Sequence, residues 1–478
     1  MATVTFQDLK AKAKEMHLKL DLTLLRLAFD YAEQAHRNQA RKSGEPYIVH
    51  PAKTALTLME YKLDQATILA GLLHDVPEDT DESIHEIKRN FGDEVAFLVE
   101  GVTKLGIIKY RGLERYIENL RKMFIAMAAD IRVMLVKFAD RLHNLETLDA
   151  LPPEKQRRIA LETLEIYAPI ANRLGIGELK GQLEDHAFRY VYPKEYARVK
   201  EQFDSVYQKH FDYAEKIKKI VRKELVAEGI VPIDIHGRTK HLYSLYKKLL
   251  RHDNDIAQIH DLIALRIIVR DVKECYAALG VIHKLWKPLK GRIKDYIASP
   301  KPNGYQSLHT TVFCEGGQVV EFQVRDIQMH DLAEYGIAAH WHYTEEGKRS
   351  TIPPKKLEWI NQLLDWQKQL HNHRQYLETL KIDMFQNRIF VFTPKGDVID
   401  LPEDSTPVDF AYSIHSDLGD RCAGAKINDH IARLDTPLRN GDVCEIITDK
   451  KRKKPNRDWL DFVKTSAARY HIRNATKR

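Results

Sequence analysis

The spacing of apolar residues predicts that the N-terminal part of the chain is helical. Along residues 22–36 and 64–76, apolar side chains recur three and four positions apart, which is the period of an amphipathic helix. The same period continues to about residue 195, with a turn at the sequence SGEP, residues 43–46. Residues 196–230 continue as a charged helix, which we interpret as a connector. The pattern therefore predicts an all-α domain at the start of the chain.

The period changes from about residue 231, where alternating apolar and polar residues predict strands. Residues 261–271 and 308–325 are strand-like, and glycines at 316 and 317 in the second segment predict a hairpin turn. Residues 275–286, which lie between these strands, have a helical pattern. This order of elements predicts a mixed α/β domain.

A smaller unit follows the α/β domain. The pattern predicts a helix over about 355–380 and then a β-rich unit over about 385–447. This unit opens with a hairpin, RIFVFTPKGDVIDL, whose turn is the PKGD at 394–397. Residues 448–478 begin another helix, and we interpret them as the start of a truncated helical region.

Composition narrows the class of protein. With 478 residues, 44% hydrophobic and 30% charged, the chain is long enough for about three globular domains. No apolar run approaches the roughly 18 residues of a membrane span, and the N-terminus lacks the apolar core of a signal peptide. The four cysteines are far apart in sequence, which argues against a zinc ribbon or a disulfide framework. We therefore expect a cytoplasmic protein that contacts no membrane.

The net charge of +7 is modest, but its distribution is informative. Basic residues crowd into 236–301 and again into the run KKRKK at 450–454, where polyanions could be held.

A set of histidines and carboxylates in the helical domain predicts a metal site. His50, the adjacent pair His74 and Asp75, and Asp140 offer imidazole and carboxylate ligands, which suit manganese, iron or zinc. The adjacent His74 and Asp75 can both reach one ion if the helix ends at this point. A proline at 77 favours such an ending. Glu78 and Asp79 then fall on the following turn, where they could activate a water molecule.

Two segments near this set could hold a nucleotide. RKSGEPY at 41–47 offers a base-stacking arginine and a phosphate-binding lysine, and RLHNLET at 141–147 offers hydrogen-bonding groups. The candidate nucleotide-binding residues are Arg41, Lys42, Ser43, Tyr47, Asn144 and Thr147.

A second candidate site lies in the α/β domain. Asp261 opens one apolar strand, and Glu321 lies on the polar face of VVEFQVR in another. Side by side, the two carboxylates could hold magnesium bound to nucleotide phosphates. The basic residues Arg238, Lys240, His241, Lys248 and Lys301 could neutralise a triphosphate, and Tyr305 could stack on a base.

The helical segments resemble the hydrolase domain of the long RelA/SpoT homologues, enzymes of the stringent response that make and destroy the alarmones ppGpp and pppGpp. The resemblance rests on SGEPYIVHP, LLHDVPEDT, FGDEVAFLVEGVTKL, DIRVMLVKFADRLHNLETL and ETLEIYAPIANRLGI. It implies that the histidines and aspartates bind Mn²⁺, and that Glu78 and Asp79 activate water for removal of the 3′-pyrophosphate.

GRTKHLYSLYKK, KDYIASPKPNGYQSLHTT and MHDLAEYGIAAHWHY resemble the synthetase domain of the same family, which has a polymerase-β-like nucleotidyltransferase fold. That domain transfers pyrophosphate from ATP to the 3′-hydroxyl of GDP or GTP. The resemblance implies that Asp261 and Glu321 hold Mg²⁺, that Glu321 is also the base for the 3′-hydroxyl, and that Tyr305 stacks on guanine. It further assigns Arg238, Lys240, Ser244, Lys248 and Lys301 to ATP, and Asn303 and His309 to the acceptor nucleotide.

Two further motifs refine the resemblance. RIKD at 292–295 is the basic form of a motif that accompanies bifunctional members and simple magnesium dependence. Residues 387–428 resemble a TGS domain, the small β-grasp-like module that contacts uncharged tRNA on the ribosome in long members. The histidine of its YSIH run is His415, a candidate tRNA contact.

The predicted architecture is therefore multidomain, with one all-α, one α/β and one small β-rich domain. It comprises an HD-type hydrolase domain (1–195), a helical connector (196–235), a synthetase domain (236–345), a helical linker (346–383), a TGS domain (384–447) and the start of a truncated helical region (448–478).

Two other functions are compatible with parts of this pattern. A tRNA nucleotidyltransferase can also join a polymerase-β-like domain to an HD domain, although its Gly-Ser and DxD signature is absent here. A regulatory RNA-binding protein with degenerate sites would account for the TGS-like unit and the basic run. Transfer of label from ATP to GDP distinguishes the predicted enzyme from both.

Overall fold

The computed structural model describes residues 4–106, 112–259, 262–301, 303–339, 388–395, 397–439, 441–449, 452 and 454–476. The chain divides into two compact units, Met1–Leu364 and Asp365–Arg478. The first unit contains both candidate catalytic sites, and the second contains the TGS-like segment.

The first part of unit 1 is helical, as the apolar spacing predicts. Asp21 and Asp64 cap the second and fourth helices by accepting backbone N–H groups, and this satisfies donors that have no helical partner. The helices are α1 (Phe6–Glu15), α2 (Leu22–Ala35), α3 (Val49–Glu60), α4 (Gln65–Leu73), α5 (Val76–Asp79), α6 (Ile84–Phe91), α7 (Asp93–Gly106), α8 (Gly112–Ala129), α9 (Arg132–Glu146), α10 (Pro153–Glu162), α11 (Ala168–Arg173) and α12 (Gly177–Val191).

The centre of this helical part is the packing of α3 against α4 and α9. These three helices bury apolar side chains such as Leu58, Leu69 and Phe138 almost completely. A turn of π-helix, Thr163–Tyr167, joins α10 to α11. The predicted turn at residues 43–46 is confirmed, and Gly44 adopts a φ of 86° that a residue with a Cβ rarely adopts.

A single helix, α13 (Pro193–Ala227), runs through most of the segment interpreted as a connector. It leads into a sheet with flanking helices. The elements are β1 (Asp234–Thr239), α14 (Leu242–Leu249), β2 (Ile263–Val269), α15 (Val272–Leu285), β3 (Lys294–Asp295), β4 (Leu308–Phe313), β5 (Val319–Asp326) and α16 (Ile327–Tyr335).

The sheet has the strand order β1-β2-β5-β4-β3. Strands β2 and β5 are parallel neighbours, whereas β4 and β5 form the predicted antiparallel hairpin around Gly316 and Gly317. Helices α13 and α15 cover one face of this sheet, and their apolar residues share a core with Leu265, Phe322 and Val324. The predicted helix over 355–380 lies outside the described residues.

Unit 2 begins with the predicted hairpin of β6 (Arg388–Phe392) and β7 (Val398–Pro402). Helices α17 (Pro407–Ile414) and α18 (Ser416–Asp420) follow, and then a second sheet of β8 (Cys422–Ile427), β9 (His430–Ala432) and β10 (Cys444–Thr448) in the order β10-β8-β9.

The segment after β10 packs into the core of unit 2. Trp459, Val463 and Ile472, the last of them on helix α19 (Ser466–Thr476), share an apolar cluster with Val408 of α17. The buried Asp409 reinforces this contact, since its carboxylate accepts hydrogen bonds from the backbone and hydroxyl of Thr465. The segment therefore contributes to the fold of this unit.

None of the helices in the described ranges combines the length and the apolar character that a bilayer crossing requires.

Candidate active sites

The first candidate site forms where α4 ends. Leu73 is the last residue of α4, His74 caps its C-terminus, and Asp75 immediately precedes α5. Pro77 lies in the first turn of α5, where a backbone N–H would have no helical partner in any case. The predicted helix ending is confirmed, and it directs the adjacent His74 and Asp75 toward one point.

His50 from α3 and Asp140 from α9 reach the same point. The Nε2 atom of His50 lies 3.3 Å from Asp140 Oδ1 and 3.4 Å from Asp75 Oδ2. The Nε2 atom of His74 lies 3.1 Å from Asp75 Oδ1 and 4.0 Å from Asp140 Oδ1. The structure thus brings together the four residues that the sequence predicts as ligands.

This cluster could hold a divalent metal ion. His50, His74 and Asp140 are buried and place one ligand atom each within 4.8 Å of the others. Nδ1 of His74 bonds to the carbonyl oxygen of Gly71 at 2.9 Å, so Nδ1 carries the proton and Nε2 keeps its lone pair. That buried Nε2 makes no hydrogen bond among the described residues, because the lone pair and the nearby oxygen of Asp75 are both acceptors. An orphaned imidazole nitrogen beside carboxylates is the donor set that borderline transition ions prefer.

A lysine fixes the charge state of Asp140. Lys137 Nζ lies 2.7 Å from Asp140 Oδ2. Burial opposes ionisation of this carboxyl, but the charge of the nearby Lys137 ammonium holds its pKa well below the usual value. Asp140 is therefore ionised and able to act as a ligand at neutral pH.

His143 belongs to this site, although it was not among the residues predicted from the sequence. Its Nδ1 lies 2.7 Å from Nδ1 of His50 and 2.8 Å from Nη1 of Arg41. A guanidinium can only donate, so His143 Nδ1 is an acceptor and His50 must carry its proton on Nδ1. Burial, His50 and Arg41 together lower the pKa of His143 to about 3, which keeps the ring neutral. The lone pair of His50 Nε2 is thereby directed at Asp75 and Asp140.

Glu78 and Asp79 lie beside the cluster, on α5. Tyr47 Oη lies 2.5 Å from Asp79 Oδ2 and 3.0 Å from Asp75 Oδ2, so its single hydroxyl proton lies between the two carboxylates. Partial desolvation and the negative charge of Asp75 outweigh the attraction of Lys137 and raise the pKa of Glu78 to about 7. A carboxyl with that pKa can accept a proton near neutral pH.

A cavity of about 640 Å³ opens next to the cluster. Its wall contains Asp140 and several cationic side chains, so it can accept an anionic ligand. Arg41 is already engaged there, since its Nη2 donates to Asn144 Oδ1 at 2.5 Å and Asn144 in turn donates to Asp140. The cavity is lined by the predicted Arg41, Lys42, Ser43, Tyr47, Asn144 and Thr147, and also by Arg141, Arg158, Glu162 and Glu165, which were not predicted.

The second candidate site lies on the sheet of unit 1. The prediction that two strands run side by side here is confirmed, since Ala264 of β2 pairs with Glu321 of β5. Asp261, the other predicted carboxylate, lies outside the described residues. Among the described residues, Glu321 and the side chains around it form this site.

Glu321 faces a small cavity of about 140 Å³ that is rich in basic groups. Its Oε1 lies 2.8 Å from Nδ1 of the predicted His309, and Lys248 lines the same cavity. Arg292 and Lys294 of the RIKD sequence also line it. Asp295 instead accepts the backbone N–H groups of residues 297 and 298, so its role is to hold the loop.

A larger cavity of about 490 Å³ contains Arg238 and Lys240. Of the predicted phosphate-binding residues, Lys248 thus lines the smaller cavity, and Arg238 and Lys240 line the larger one. Ser244 lies on α14, one turn from Lys248. Arg266 lines the larger cavity and was not predicted, because an arginine in the apolar run IALRIIV gives no sign of which way it faces.

His241 was predicted to help neutralise a triphosphate, but the structure places it between two carboxylates. Its Nδ1 lies 2.9 Å from Asp185 Oδ2, and its Nε2 lies 3.5 Å from Glu178 Oε2, both on α12. Burial opposes protonation, but the two carboxylates prevail and raise the pKa of His241 to about 9. The structure therefore pairs this cation with helical carboxylates, and it is not an unpaired charge available to a triphosphate.

The loop before β4 carries the other predicted groups. Lys301 Nζ lies 4.6 Å and 4.8 Å from the ring centroids of Tyr296 and Tyr305. Desolvation, together with nearby cations such as Lys294, lowers the pKa of Lys301 to about 8. Asn303 accepts the backbone N–H of Tyr305 at 3.2 Å and so shapes the loop.

His415 in unit 2 joins α17 to α18. It is exposed, and its Nδ1 accepts the backbone N–H of Asp417 at 3.2 Å, which caps α18. This contact explains a histidine at that position on structural grounds, and its contact with tRNA stays a prediction.

Three segments match known families. Residues 28–177 match the HD domain, residues 237–348 match a region found in RelA and SpoT proteins, and residues 389–448 match the TGS domain. These matches confirm the predicted fold class.

Curated relatives match nearly all of the chain. A GTP pyrophosphokinase of Myxococcus xanthus is 49% identical over 468 residues, which are 97% of this chain and 62% of that protein. A probable guanosine-3′,5′-bis(diphosphate) 3′-pyrophosphohydrolase of Synechocystis is 50% identical over 94% of this chain and 60% of its own length. The bifunctional (p)ppGpp synthase/hydrolase SpoT of Escherichia coli is 46% identical over 95% and 64%, respectively. The chain thus spans between 60% and 64% of the length of these three relatives.

Proposed function

Because the chain is a RelA/SpoT homologue that carries HD, RelA/SpoT and TGS domains, we propose that it both makes and destroys the alarmones ppGpp and pppGpp. It would act as a GTP pyrophosphokinase and as a guanosine-3′,5′-bis(diphosphate) 3′-pyrophosphohydrolase. The observation that carries the proposal is that unit 1 holds two separate sites of different chemistry. One is a buried His/Asp cluster beside an anion-accepting cavity, and the other is Glu321 among basic groups on a sheet.

For hydrolysis, we propose Mn²⁺ as the ion held by His50, His74, Asp75 and Asp140. When bound, such an ion supplies Lewis acidity that lowers the pKa of water. Glu78, which lies on α5 beside the cluster, takes a proton from the attacking water. A bond forms between the water oxygen and the phosphorus attached to the 3′-oxygen, the ester bond to the 3′-oxygen breaks, and that oxygen takes up a proton. Arg41 and Lys42 would hold the phosphates in the cavity.

For synthesis, we propose that Glu321, together with Asp261, holds Mg²⁺–ATP, and that Glu321 removes the proton of the 3′-hydroxyl. The 3′-oxygen of GDP or GTP bonds to the β-phosphorus of ATP, and the bond from that phosphorus to the α,β-bridging oxygen breaks to release AMP. Arg238, Lys240, Ser244, Lys248 and Lys301 would bind ATP phosphates and stabilise charge in the transition state. Tyr305 would stack on guanine, with Asn303 and His309 beside it.

An assay with ATP labelled in its β-phosphate tests the whole proposal. The purified chain is incubated with labelled ATP and either GDP or tRNA, and hydrolysis of ppGpp is measured separately with Mg²⁺ and with Mn²⁺. We expect label on GDP, release of AMP, and hydrolysis that depends on Mn²⁺. Label on tRNA would favour a nucleotidyltransferase, and no turnover in either assay would favour a non-catalytic RNA-binding protein.

Two further elements of the proposal concern location and partners. We predict a cytoplasmic protein whose TGS domain, through His415, contacts uncharged tRNA on the ribosome. The exposure of His415 supports such a contact, and loss of tRNA binding in His415→Ala relative to His430→Ala, another exposed histidine of unit 2, would test it.

Replacing His143 should weaken the binding of metal without removing any ligand. In His143→Ala, the Nδ1 proton of His50 loses its acceptor, so the ring is free to rotate and to change tautomer. We expect the affinity for Mn²⁺ to fall by about 10- to 100-fold, the usual effect of losing a group that orients a metal-binding histidine. Isothermal titration of the metal-free chain with Mn²⁺ measures this directly.

The matched control is His283→Ala, which removes a partly buried histidine that bonds to Thr310, away from the cluster. His143→Gln retains a side-chain acceptor and should recover part of the affinity. Equal Mn²⁺ affinity in the wild-type chain and His143→Ala would show that His143 does not orient His50.

A further inference from the structure

Three polar side chains alternate along β5 and share one face of the strand. They are Glu321, Gln323 and Arg325, each two residues from the next. Arg325 is 0% exposed and Gln323 is 5% exposed. Arginine is almost never fully buried unless it is paired, so we expect specific partners for Arg325 on this face.

Hydrogen bonds connect Arg325 to Glu321 by two routes. On the strand, Arg325 Nη2 lies 3.4 Å from Gln323 Oε1, and Gln323 Nε2 lies 3.3 Å from Glu321 Oε1. Off the strand, Arg325 Nη2 donates to Tyr305 Oη at 2.8 Å, Tyr305 Oη lies 2.8 Å from His309 Nε2, and His309 Nδ1 lies 2.8 Å from Glu321 Oε1. The five side chains form a closed ring, which we call the Arg325 ring.

The guanidinium fixes the direction of the off-strand route. Arg325 can only donate, so the oxygen of Tyr305 accepts from it and the hydroxyl proton of Tyr305 points to His309 Nε2. His309 then carries its own proton on Nδ1 and donates it to Glu321. Arg325 therefore sets the orientation of Glu321, the carboxylate that we propose as the base. Arg325 itself lines none of the cavities described above.

The ring also contains an imperfectly compensated charge. Nη1 of Arg325 lies 3.6 Å from Glu334 Oε1, and the same oxygen accepts from Arg266 Nη1 at 2.7 Å. Two buried guanidinium groups thus share one carboxylate oxygen. Nε and Nη1 of Arg325 have no hydrogen-bond partner among the described residues. The positive charge of Arg325 favours an arrangement in which oxygen atoms of Tyr305 and Gln323 face its guanidinium.

We propose that Arg325 is a positioning residue for pyrophosphoryl transfer, and that the Arg325 ring orients Glu321 and Tyr305 together before the acceptor nucleotide binds. The proposal rests on the function proposed above. It gives the hydroxyl of Tyr305 a role separate from that of its aromatic ring: the ring would stack on guanine, whereas the hydroxyl transmits the position of Arg325 to His309 and Glu321. Fixing the base and the stacking group as one assembly lowers the cost of ordering them in the transition state.

Tyr305→Phe tests this division because it removes the hydroxyl and keeps the stacking surface. We expect kcat for synthesis to fall by about 10- to 100-fold, the scale of a small misplacement of a reacting group, with KM for GDP changed less than about twofold. Tyr305→Ala should also raise KM, because stacking is lost. Arg325→Met should match the kcat of Tyr305→Phe, and Arg325→Lys, which keeps a buried cation, should recover part of it.

Tyr213→Phe is the matched control, because Tyr213 of α13 donates a similar hydroxyl hydrogen bond to the carbonyl oxygen of Glu315, outside the ring. Hydrolysis of ppGpp by each preparation reports whether the chain has folded. If Tyr305→Phe keeps the kcat of Tyr213→Phe, or changes only KM, the positioning role is overturned. If the wild-type chain makes no ppGpp, the proposed synthetase function itself fails.

Discussion

Hydrolysis of ppGpp should be lost in His74→Ala, while synthesis by the same chain continues. His74 has a buried Nε2 without a hydrogen-bond partner among the described residues, and its Nδ1 is held by the carbonyl oxygen of Gly71. Removing this ring takes away a preorganised metal ligand that lies between Asp75 and the buried Asp140. We expect hydrolysis to fall at least about 100-fold, since the activated water depends on the ion. Release of pyrophosphate from ppGpp and the Mn²⁺ content of the protein are the two measurements.

His186→Ala is the control for this substitution. His186 is a half-buried histidine of α12 in the same helical part, outside the cluster, so the change in composition is identical. Synthesis provides an internal measure of folding, because Glu321 and its neighbours lie on the sheet. Full hydrolysis in His74→Ala, with Mn²⁺ bound as in wild type, would show that the cluster is not the hydrolytic centre.

The sequence predicts the members of the metal cluster better than their surroundings. Each ligand lies in a strongly periodic helical segment, and the proline at 77 marks the bend that directs His74 and Asp75 to one point. His143 was missed because its role depends on a contact with His50, 93 residues away in the chain. One signal was present: His143 is three residues after Asp140, so both lie on the same face of α9.

In the sheet, as in the metal cluster, the sequence predicts some features, and others depend on tertiary packing. Alternation predicts β2 and the β4–β5 hairpin, but β1, with the sequence DIHGRT, has little apolar alternation and is a strand because it pairs with β2. The polar face of VVEFQVR was expected to carry Glu321 at a nucleotide site, and nothing in the alternation indicates that Gln323 and Arg325 are buried. Their burial depends on Tyr305, Glu334 and α16, which tertiary packing brings over that face.

Glu321→Gln should abolish synthesis and leave hydrolysis in place. Glutamine has nearly the shape of glutamate, and its amide oxygen can still accept from His309 Nδ1, so the geometry around β4 and β5 is retained. What is lost is the negative charge and the ability to take the proton of the 3′-hydroxyl. Loss of a general base costs about 100- to 10,000-fold, so we expect AMP release from ATP and GDP to fall within that range or below detection.

Glu315→Gln serves as the control, since Glu315 lies at the turn of the same hairpin and forms an exposed ion pair with Lys216. Binding of Mg²⁺–ATP to both variants then separates the two roles proposed for Glu321. If Glu321→Gln binds Mg²⁺–ATP as tightly as Glu315→Gln but makes no ppGpp, the carboxylate acts mainly as the base. If binding is lost as well, its main role is to hold the ion. Wild-type synthesis by Glu321→Gln would contradict both roles and would place the catalytic carboxylate elsewhere in the domain.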